Sequence, residues 1–424
     1  MSTLLFANAR QVVTCAGPSR ARRGAEMNDA GVSTDVGVLV RGGTIAAVGP
    51  ERELLADNAD ATIIDCEHGV LAPGFVDSHT HAVFGRARFE EQELRASGVP
   101  YMEIARRGGG IHASVRDLRA RGEDELFALA VPRLMRLAAS GVTTVEVKSG
   151  YGLSLDDELK TLRVVRRLAA ALPLRVVPTW LGAHEIPLEL HERGGGRREY
   201  IDCLIHEMLP VVATERLARF ADVFCEPGVF TVEESREVLA AARTAGLGVK
   251  LHADELLAGG GAELAAELRA TSADHLAAVS DEGIAALAGV GTVATLLPAT
   301  MLFLGKREQA PARKLIDAGV PVALATDFNP GTSPTTNLPL VLTLGVSQLR
   351  MTVAEVLVAS TVNGAAALAL GGRTGQIAAG FSADLALWAV EDVRELPYWL
   401  GAGRCRASWA RGKPCHPHDL ALAF

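Results

Sequence analysis

The spacing of hydrophobic and polar positions changes about seventy residues into the chain. Before that point, short β-type runs such as residues 37–41 and 62–65 are separated by turns. Beyond it, apolar runs alternate with stretches rich in Ala, Leu, Glu and Arg that have helical period. Short β-type runs return after Gly375. The pattern predicts a central α/β unit with smaller β-structures at both ends of the chain.

Eight apolar runs follow the change, and helical segments such as 156–171 and 232–245 lie between them. Eight strands alternating with helices over about 250 residues are typical of a (β/α)8 barrel. We therefore predict an α/β fold, with a (β/α)8 TIM-like barrel over residues 73–374. Residues 1–72 and 375–424 are expected to form one small β-sandwich domain. The eight runs are residues 75–81, 143–148, 176–182, 222–226, 249–254, 272–276, 292–297 and 322–327.

Ionisable side chains stand at or just beyond the ends of seven of these runs. A charged residue is costly inside a barrel, whereas the C-terminal rim is where catalytic groups collect. The set therefore predicts an active site at that rim. Its members are His79, His81, Lys148, His184, Glu226, His252, His275 and Asp327.

Four of these residues are predicted to hold a metal ion. His79 and His81 are two residues apart, and side chains at i and i+2 of a β-strand point the same way. A third imidazole from His252 and a carboxylate from Asp327 complete a nitrogen and oxygen set that suits Zn²⁺ or Fe²⁺. Such a site, when open to water, is typical of a hydrolase. Taken alone, the pair of histidines is also compatible with ordinary surface residues.

Composition narrows the class of protein further. The 424 residues carry a formal charge of −8, which argues against nucleic acid as a partner because nucleic acid favours a basic face. Six cysteines form no CxxC pair, which indicates a reduced cytoplasmic protein. The N-terminus lacks the basic and apolar regions of a signal peptide. Residues 283–305 carry no charge, but a helix end, a buried strand and a loop explain them better than a membrane span.

Residues 73–81 (PGFVDSHTH) resemble the first-strand motif of the metal-dependent amidohydrolase superfamily. Closer matches point to one family within it, the imidazolonepropionases of histidine degradation. The segments 146–152 (EVKSGYG) and 325–332 (ATDFNPGT) are far more specific than the two histidines. Further similar segments are residues 83–88, 108–111, 181–184 and 251–255.

This resemblance implies hydrolysis of the cyclic amide 4-imidazolone-5-propanoate to N-formimidoyl-L-glutamate. It implies one Zn or Fe ion held by His79, His81, His252 and Asp327. The resemblance also implies a homodimer that acts on a small molecule and needs no membrane. The residues implied to contact substrate or product are Arg88, Tyr151, His184, Glu255, Asn329, Gly331 and Thr332.

Within this expectation, Glu255 is the first choice for moving protons, because it lies three residues past His252. In the alternative order, Asp327 and His275 take the first proton instead, and Glu255 delivers it to the leaving nitrogen. His184 would bind the carbonyl side of the substrate. Arg88 suits a bidentate grip on the propionate. The alternatives are that Glu255 is an acid at a helix start and that His275 is a buried structural histidine.

Several other readings stay open. The same ligands would serve an aromatic deaminase of the superfamily, acting on guanine or a related ring, and a non-catalytic scaffold of this fold is the third possibility. Lys148 suggests a carbamylated lysine, although its place after the second run favours an orienting role. Glu226 suggests a bridge to a second metal, although a structural role is favoured. Arg86 stands where the family usually has glycine, which adds bulk and charge near Arg88.

Overall fold

The computed structural model of the protein describes residues 3–99, 103, 108–191 and 193–416. Its strands form three sheets of four, eight and six members. The strands are β1 (Thr3–Ala7), β2 (Gln11–Val13), β3 (Val32–Ser33), β4 (Val36–Arg41), β5 (Thr44–Pro50), β6 (Thr62–Asp65), β7 (Val70–Pro73), β8 (Phe75–Asp77), β9 (Val142–Lys148), β10 (Arg175–Ala183), β11 (Phe220–Cys225), β12 (Gly248–Ala253), β13 (Ser272–His275), β14 (Val293–Leu296), β15 (Val322–Leu324), β16 (Leu385–Trp388), β17 (Cys405–Ala410) and β18 (Lys413–His416).

The eight-stranded sheet is the predicted barrel. Strands β8 to β15 are parallel, and each is hydrogen-bonded to the next in chain order. Helices connect them and cover their outer face. The α-helices of the described residues are Glu51–Asp57, Phe89–Ala96, Ile111–Arg119, Glu123–Ala139, Leu155–Ala171, Leu188–His191, Gly196–Cys203, Leu209–Thr214, Val232–Thr244, Gly261–Glu267, Asp281–Val290, Pro298–Phe303, Ala312–Asp317, Leu338–Ser347, Val353–Val358, Gly364–Ala366 and Glu395–Tyr398. A 3-10 turn covers Gly24–Asn28, and π-helical turns cover Leu204–Met208 and Ala359–Asn363.

The barrel closes between its first and last segments, just beyond the regular ends of β8 and β15. Thr80 and Phe328 form a parallel bridge, and the N–H of His81 donates to the carbonyl of Phe328 at 2.8 Å. The N–H of Asp327 donates to the carbonyl of His79 at 3.1 Å. Closure therefore depends on the same short segments that carry three of the four candidate metal ligands.

These segments differ from the prediction in one respect. The sequence predicted strands over residues 75–81 and 322–327, but the regular strands end at Asp77 and Leu324. Asp327 has a left-handed backbone, with φ of 53°. Beyond the regular strand, the parallel bridge between Thr80 and Phe328 continues the strand-like pairing. His79 and His81 flank the bridged residue, so they still point the same way.

One connecting helix illustrates how the sequence builds the outer layer. Leu155–Ala171 begins at Ser154, whose hydroxyl accepts a hydrogen bond from the backbone N–H of Asp157 at 3.3 Å. An N-cap of this kind satisfies one of the donors that a helix start leaves free. The buried face recurs at helical spacing, and each buried Leu or Val is worth about 1.5–3 kcal/mol. That face consists of Leu159, Leu162, Val165 and Leu168.

The chain ends form the predicted β-sandwich. One sheet has the order β5-β4-β1-β6, and the other has the order β18-β17-β16-β7-β2-β3, so each end contributes to the second sheet. The two sheets share an apolar core in which the rings of Phe6 and Trp409 pack edge to face at 4.9 Å. Strand β7 crosses the predicted boundary at residue 72, and the exact division between the two domains stays a prediction.

The sandwich also packs on the base of the barrel. The ring of Trp388 lies 5.1 Å from the ring of Phe75 at the start of β8. Gly141 has a φ of 87°, and a Cβ there would lie 2.5 Å from the Trp388 ring. A glycine is therefore needed at this close approach. Among the described helices, none combines the length and the apolar character that crossing a bilayer requires.

Candidate active site

Four candidate metal ligands meet where the barrel closes. The Nε2 atom of His81 lies 3.3 Å from Nε2 of His79 and 3.4 Å from Nε2 of His252. The Oδ1 atom of Asp327 lies 3.5 Å from Nε2 of His79 and 3.6 Å from Nε2 of His81. All four side chains are buried. The structure thus brings together all four residues that the sequence predicted as ligands.

The protonation of these imidazoles suits a cation. Asp274 lies 2.7 Å from Nδ1 of His79 and accepts a hydrogen bond there, which leaves the lone pair of Nε2 facing the other ligands. Burial lowers the pKa of His79 and of His81 well below the usual range, so both are neutral. Two nitrogen lone pairs 3.3–3.4 Å apart repel one another unless a hydrogen or a cation lies between them. The residues present therefore fit a divalent metal ion.

A buried network of charges lies beneath the ligands. The ammonium of Lys148 lies 2.7 Å from Oδ2 of Asp222 and 2.8 Å from Oε2 of Glu146. The ammonium of Lys250 lies 2.9 Å from Oε2 of Glu146 and 3.6 Å from Oδ2 of Asp274. All five side chains have no exposed surface. Two ammonium groups against three carboxylates satisfy the rule that buried charges must be paired.

This network touches the ligands directly. Asp274 binds His79, and Oδ2 of Asp222 lies 3.1 Å from Nδ1 of His252. Burial disfavours the charged form of Lys148, but Asp222, Glu146 and Asp274 outweigh burial and raise its pKa. Lys148 therefore stays an ammonium group in an ion-pair network, which matches the orienting role and not a carbamylated lysine.

The sequence reasoning did not single out Asp222, Asp274, Glu146 or Lys250. A signal was present, because Glu146 lies two residues before Lys148 and Lys250 lies two residues before His252. On a strand such residues share the inner face. The prediction considered only residues at strand ends, so it missed these inward side chains one layer deeper in the barrel.

Glu255 and His275 form a second pair beside the ligands. Oε2 of Glu255 lies 3.6 Å from Nδ1 of His275. Burial, with the nearby charges of Asp327 and Glu226, raises the pKa of Glu255 to about 8. Burial and the neighbouring His252 lower the pKa of His275 well below its usual value. At neutral pH the carboxyl group therefore holds the proton and the imidazole does not.

Glu226 holds the loop that carries Glu255. Its carboxylate accepts hydrogen bonds from the backbone N–H groups of Glu255, Leu256 and Leu257, at 3.0, 3.2 and 2.8 Å. These contacts match the structural role that the sequence favoured for Glu226. His275 itself has a left-handed φ of 79°, a strained conformation for a residue other than glycine.

Arg88 presents a buried guanidinium group with unused donors. Its side chain is 7% exposed, and its Nε lies 3.6 Å from the carboxylate of Glu91. Within the described part of the chain, Nε and Nη1 have no hydrogen-bond partner. Gly331 lies against the guanidinium, and a Cβ at that position would overlap it. The pocket is therefore shaped around an arginine that is ready to bind an anionic group.

The turn after β15 is organised by Asn329. Its Oδ1 accepts from the backbone N–H of Gly331 at 2.9 Å and of Thr332 at 2.7 Å. Its Nδ2 donates to the carbonyl of Asp327 at 2.8 Å and to Oγ1 of Thr332 at 2.9 Å. Both donors and the acceptor of the amide are thus engaged within the turn that places Gly331 beside Arg88.

His184 has a defined tautomer. Its Nδ1 lies 2.9 Å from the carbonyl oxygen of Gly150, which can only accept, so Nδ1 carries the hydrogen. Burial and the nearby His252 lower the pKa of His184 to about 3. Nε2 is therefore a hydrogen-bond acceptor, which suits an N–H group of a ligand better than the carbonyl that the sequence analysis assigned to it. The ring of Tyr151 lies 5.3 Å away.

These side chains face one cavity of about 640 Å³ at the C-terminal mouth of the barrel. Of the predicted residues, His79, Gly331 and Arg86 do not line it. The Arg86 side chain is 58% exposed and pairs with Glu90 at the edge of a smaller neighbouring cavity. Predicted residues that line the large cavity are His81, Arg88, Tyr151, His184, His252, Glu255, His275, Asp327, Asn329 and Thr332.

Comparison with known proteins fits this geometry. A model of the amidohydrolase family matches residues 102–416, and a bacterial imidazolonepropionase-like composite domain matches residues 37–61. An imidazolonepropionase of Symbiobacterium thermophilum is 48% identical over 97% of this chain and 96% of its own length. One of Solibacter usitatus is 45% identical over 97% of this chain and 98% of its own. The chain belongs to the imidazolonepropionase family.

The solved structures that resemble the protein share its fold at low sequence identity. A zinc-bound adenosine deaminase of Xanthomonas campestris superposes with a TM-score of 0.72 at 20% identity, covering all of this chain and 95% of its own. Such a likeness shows the amidohydrolase fold alone. Membership of the imidazolonepropionase family rests on the near-full-length relatives, and it indicates that the convergent ligands serve a metal cofactor.

Proposed function

We propose that the protein hydrolyses 4-imidazolone-5-propanoate to N-formimidoyl-L-glutamate, a step of histidine degradation. The observation that carries the proposal is near-full-length similarity to relatives named imidazolonepropionase, at up to 48% identity. The site is compatible with it, because one cavity holds convergent metal ligands, a buried acid and a buried arginine. The deaminase alternative lacks comparable support, since the adenosine deaminase shares the fold at only 20% identity.

We propose that His79, His81, His252 and Asp327 hold one divalent ion, Zn or Fe. When bound, such an ion lowers the pKa of water from 15.7 to about 7 and polarises the substrate carbonyl. The residues around it have their own tasks. Asp274 would fix the orientation of His79 through a hydrogen bond of 2.7 Å, and Oδ2 of Asp222 lies 3.1 Å from Nδ1 of His252. Orienting contacts of this kind keep the ligand lone pairs aimed at the ion.

Two protons must move during the reaction. Water attacks the ring carbonyl carbon and loses one proton, and the carbon–nitrogen bond of the ring amide breaks as the leaving nitrogen takes another. Asp327 or His275 would accept the first proton. Glu255, which is protonated at neutral pH, would donate the second. His275 lies 3.6 Å from Glu255, so after accepting the proton from water it could pass that proton to the Glu255 carboxylate.

Substrate recognition is assigned to the rest of the cavity. Arg88 would bind the propionate through its unpartnered Nε and Nη1 donors. Asn329, Gly331 and Thr332 would shape the turn around that carboxylate. His184 would accept a hydrogen bond from a ring N–H through Nε2, and Tyr151 would cover the ring from the same side. A charge-assisted pair at Arg88 is worth about 1.5–3 kcal/mol.

The cellular setting completes the proposal. We propose a homodimer, because the family resemblance implies one. We propose that it lies in the cytoplasm, because the six cysteines are free in the structure. Burial raises the pKa of each thiol to about 11 or 12, which keeps the thiols protonated and unreactive. Size measurement in solution would test the dimer.

The deciding experiment is turnover of freshly prepared 4-imidazolone-5-propanoate by metal-loaded protein, followed by loss of the ring absorbance, with a chelated control. The expected result is a loss of ring absorbance that requires the metal and is accompanied by formation of N-formimidoyl-L-glutamate. No turnover by protein with one bound ion per chain would contradict the proposal. A panel of aminated aromatic rings would then test the deaminase alternative.

A further inference from the structure

A second group of metal-ligand side chains lies at the mouth of the cavity. His112, Glu185 and His191 each place a ligand atom within 4.8 Å of the other two. They come from different parts of the barrel rim. His112 is in the helix Ile111–Arg119, Glu185 follows the end of β10, and His191 ends the helix Leu188–His191. His112 and Glu185 also line the large cavity.

The rings of this group are somewhat farther apart than those of the deeper ligands. The rings of His112 and His191 are 6.0 Å apart, whereas the rings of His79, His81 and His252 are 4.5–5.5 Å apart. Oε1 of Glu185 lies 3.8 Å from Nε2 of His191. Small side-chain rotations would bring all three to the bond lengths of a common ion, about 2.0–2.2 Å.

The charges around the group leave its carboxylate available. Arg119 pairs with Glu189 at 2.7 Å, Arg197 pairs with Glu234 at 2.6 Å, and Arg116 donates to the carbonyl of Gly108, so these three guanidinium groups are engaged elsewhere. Glu185 accepts a hydrogen bond from the N–H of Ile186 at 2.8 Å, and burial raises its pKa. A half-buried carboxylate that lies 3.8 Å from an imidazole of the same group favours a bound cation.

His112 is in the form that binds a metal. Burial, together with His191 and Arg116, lowers the pKa of His112 to about 4. The imidazole is therefore neutral at neutral pH and offers a lone pair. His191 is 44% exposed at its side chain, which gives an ion a route from solvent.

We propose that His112, Glu185 and His191 form a second zinc site, at the rim of the cavity. Two imidazole nitrogens and one carboxylate oxygen are a set that Zn²⁺ accepts with its fourth position open to water. Calcium and magnesium prefer oxygen ligands, so this set favours zinc over them.

Occupancy of the rim site would join two helices across the entrance. The bound ion would tie Ile111–Arg119 to Leu188–His191 and narrow the route towards Glu255. Excess zinc is therefore expected to raise KM for the substrate. This consequence rests on the proposed function, whereas the rim site itself does not.

Zinc stoichiometry tests the site without substrate. Zinc-reconstituted protein is dialysed to equilibrium against increasing free Zn²⁺, and bound zinc is measured by mass spectrometry. We expect two ions per chain in the wild type and one in the double variant H112A/H191A. The variant H206A removes an exposed histidine elsewhere and should still bind two. The ion retained by the double variant shows that its barrel is folded.

Two outcomes would overturn the rim site. One is saturation of the wild type at a single zinc per chain, and the other is two ions in H112A/H191A. E185Q offers a milder change and should weaken the second ion at least tenfold while leaving the first unchanged. The visible absorption of Co²⁺ bound at the second site should disappear in H112A/H191A. Failure of turnover with correct zinc counts would contradict the proposed function and leave the rim site standing.

Discussion

Asp274 accepts a hydrogen bond from Nδ1 of His79 at 2.7 Å, and both side chains are completely buried. This contact fixes which nitrogen of His79 carries the hydrogen and which faces the other ligands. Asp274 also lies 3.6 Å from the ammonium groups of Lys148 and Lys250, so its position is held from two sides. The orientation of His79, a candidate metal ligand, is thus set by a residue outside the cluster of four ligands.

The variant Asp274→Asn should weaken metal binding. An asparagine amide can turn its N–H towards His79, and it lacks the negative charge that supports the imidazole as a metal ligand. Loss of such a partner costs about 10–100-fold in metal affinity. Competition with a chromophoric chelator would measure the affinity. Asp281→Asn, at an exposed residue paired with Lys314, is the control and should not change it. Equal affinities in both variants would show that Asp274 does not support His79.

The variant Glu255→Gln should keep the metal and lose turnover. The amide preserves the shape of the side chain but cannot donate a carboxylic proton, so kcat should fall about 10²–10⁴-fold. Metal content and kcat measured on the same preparation separate the two effects. Glu267→Gln changes an exposed carboxylate that pairs with Arg236, and it should have wild-type kcat. A near wild-type rate in Glu255→Gln would refute the assignment of the proton donor.

Arg88 and Arg86 should respond differently to substitution. Arg88→Ala removes the buried guanidinium and its charge-assisted hydrogen bonds, worth about 1.5–3 kcal/mol, so KM should rise about 10–100-fold with a smaller change in kcat. Arg86→Gly restores the residue that the family usually has there. Because Arg86 is exposed and paired with Glu90, its kinetics should match the wild type. A large rise of KM in Arg86→Gly would show instead that Arg86 contributes to substrate binding.

The pH profile should report the raised pKa of Glu255. A carboxylic acid holds its proton below its pKa, which burial raises to about 8 here, and it loses the proton above that value. If the protonated form is needed, kcat/KM should be level from neutral pH to about 8 and fall tenfold for each pH unit beyond it. Rates measured across this range on protein of constant metal content give the test. A level profile well above pH 8 would contradict the donor role.

Local pattern was sufficient for much of the architecture. The alternation of apolar runs with helical segments predicts eight parallel strands, and the structure has them as β8 to β15. Residue type and position at strand ends pointed to His79, His81, His252 and Asp327, which the structure brings within one cluster. These features follow from periodicity and from the common direction of parallel strands, so short segments of sequence are enough to predict them.

Other features were decided only by the tertiary structure. Asp274 and His79 are 195 positions apart in the chain, so nothing local connects them, and their contact depends on the register of the closed barrel. The tautomer of His184 depends on a carbonyl 34 positions earlier. The end of regular β8 at Asp77 follows from closure against the segment around Phe328. Periodicity specifies which face a side chain takes, but hydrogen-bond partners and protonation depend on distances that only the folded chain establishes.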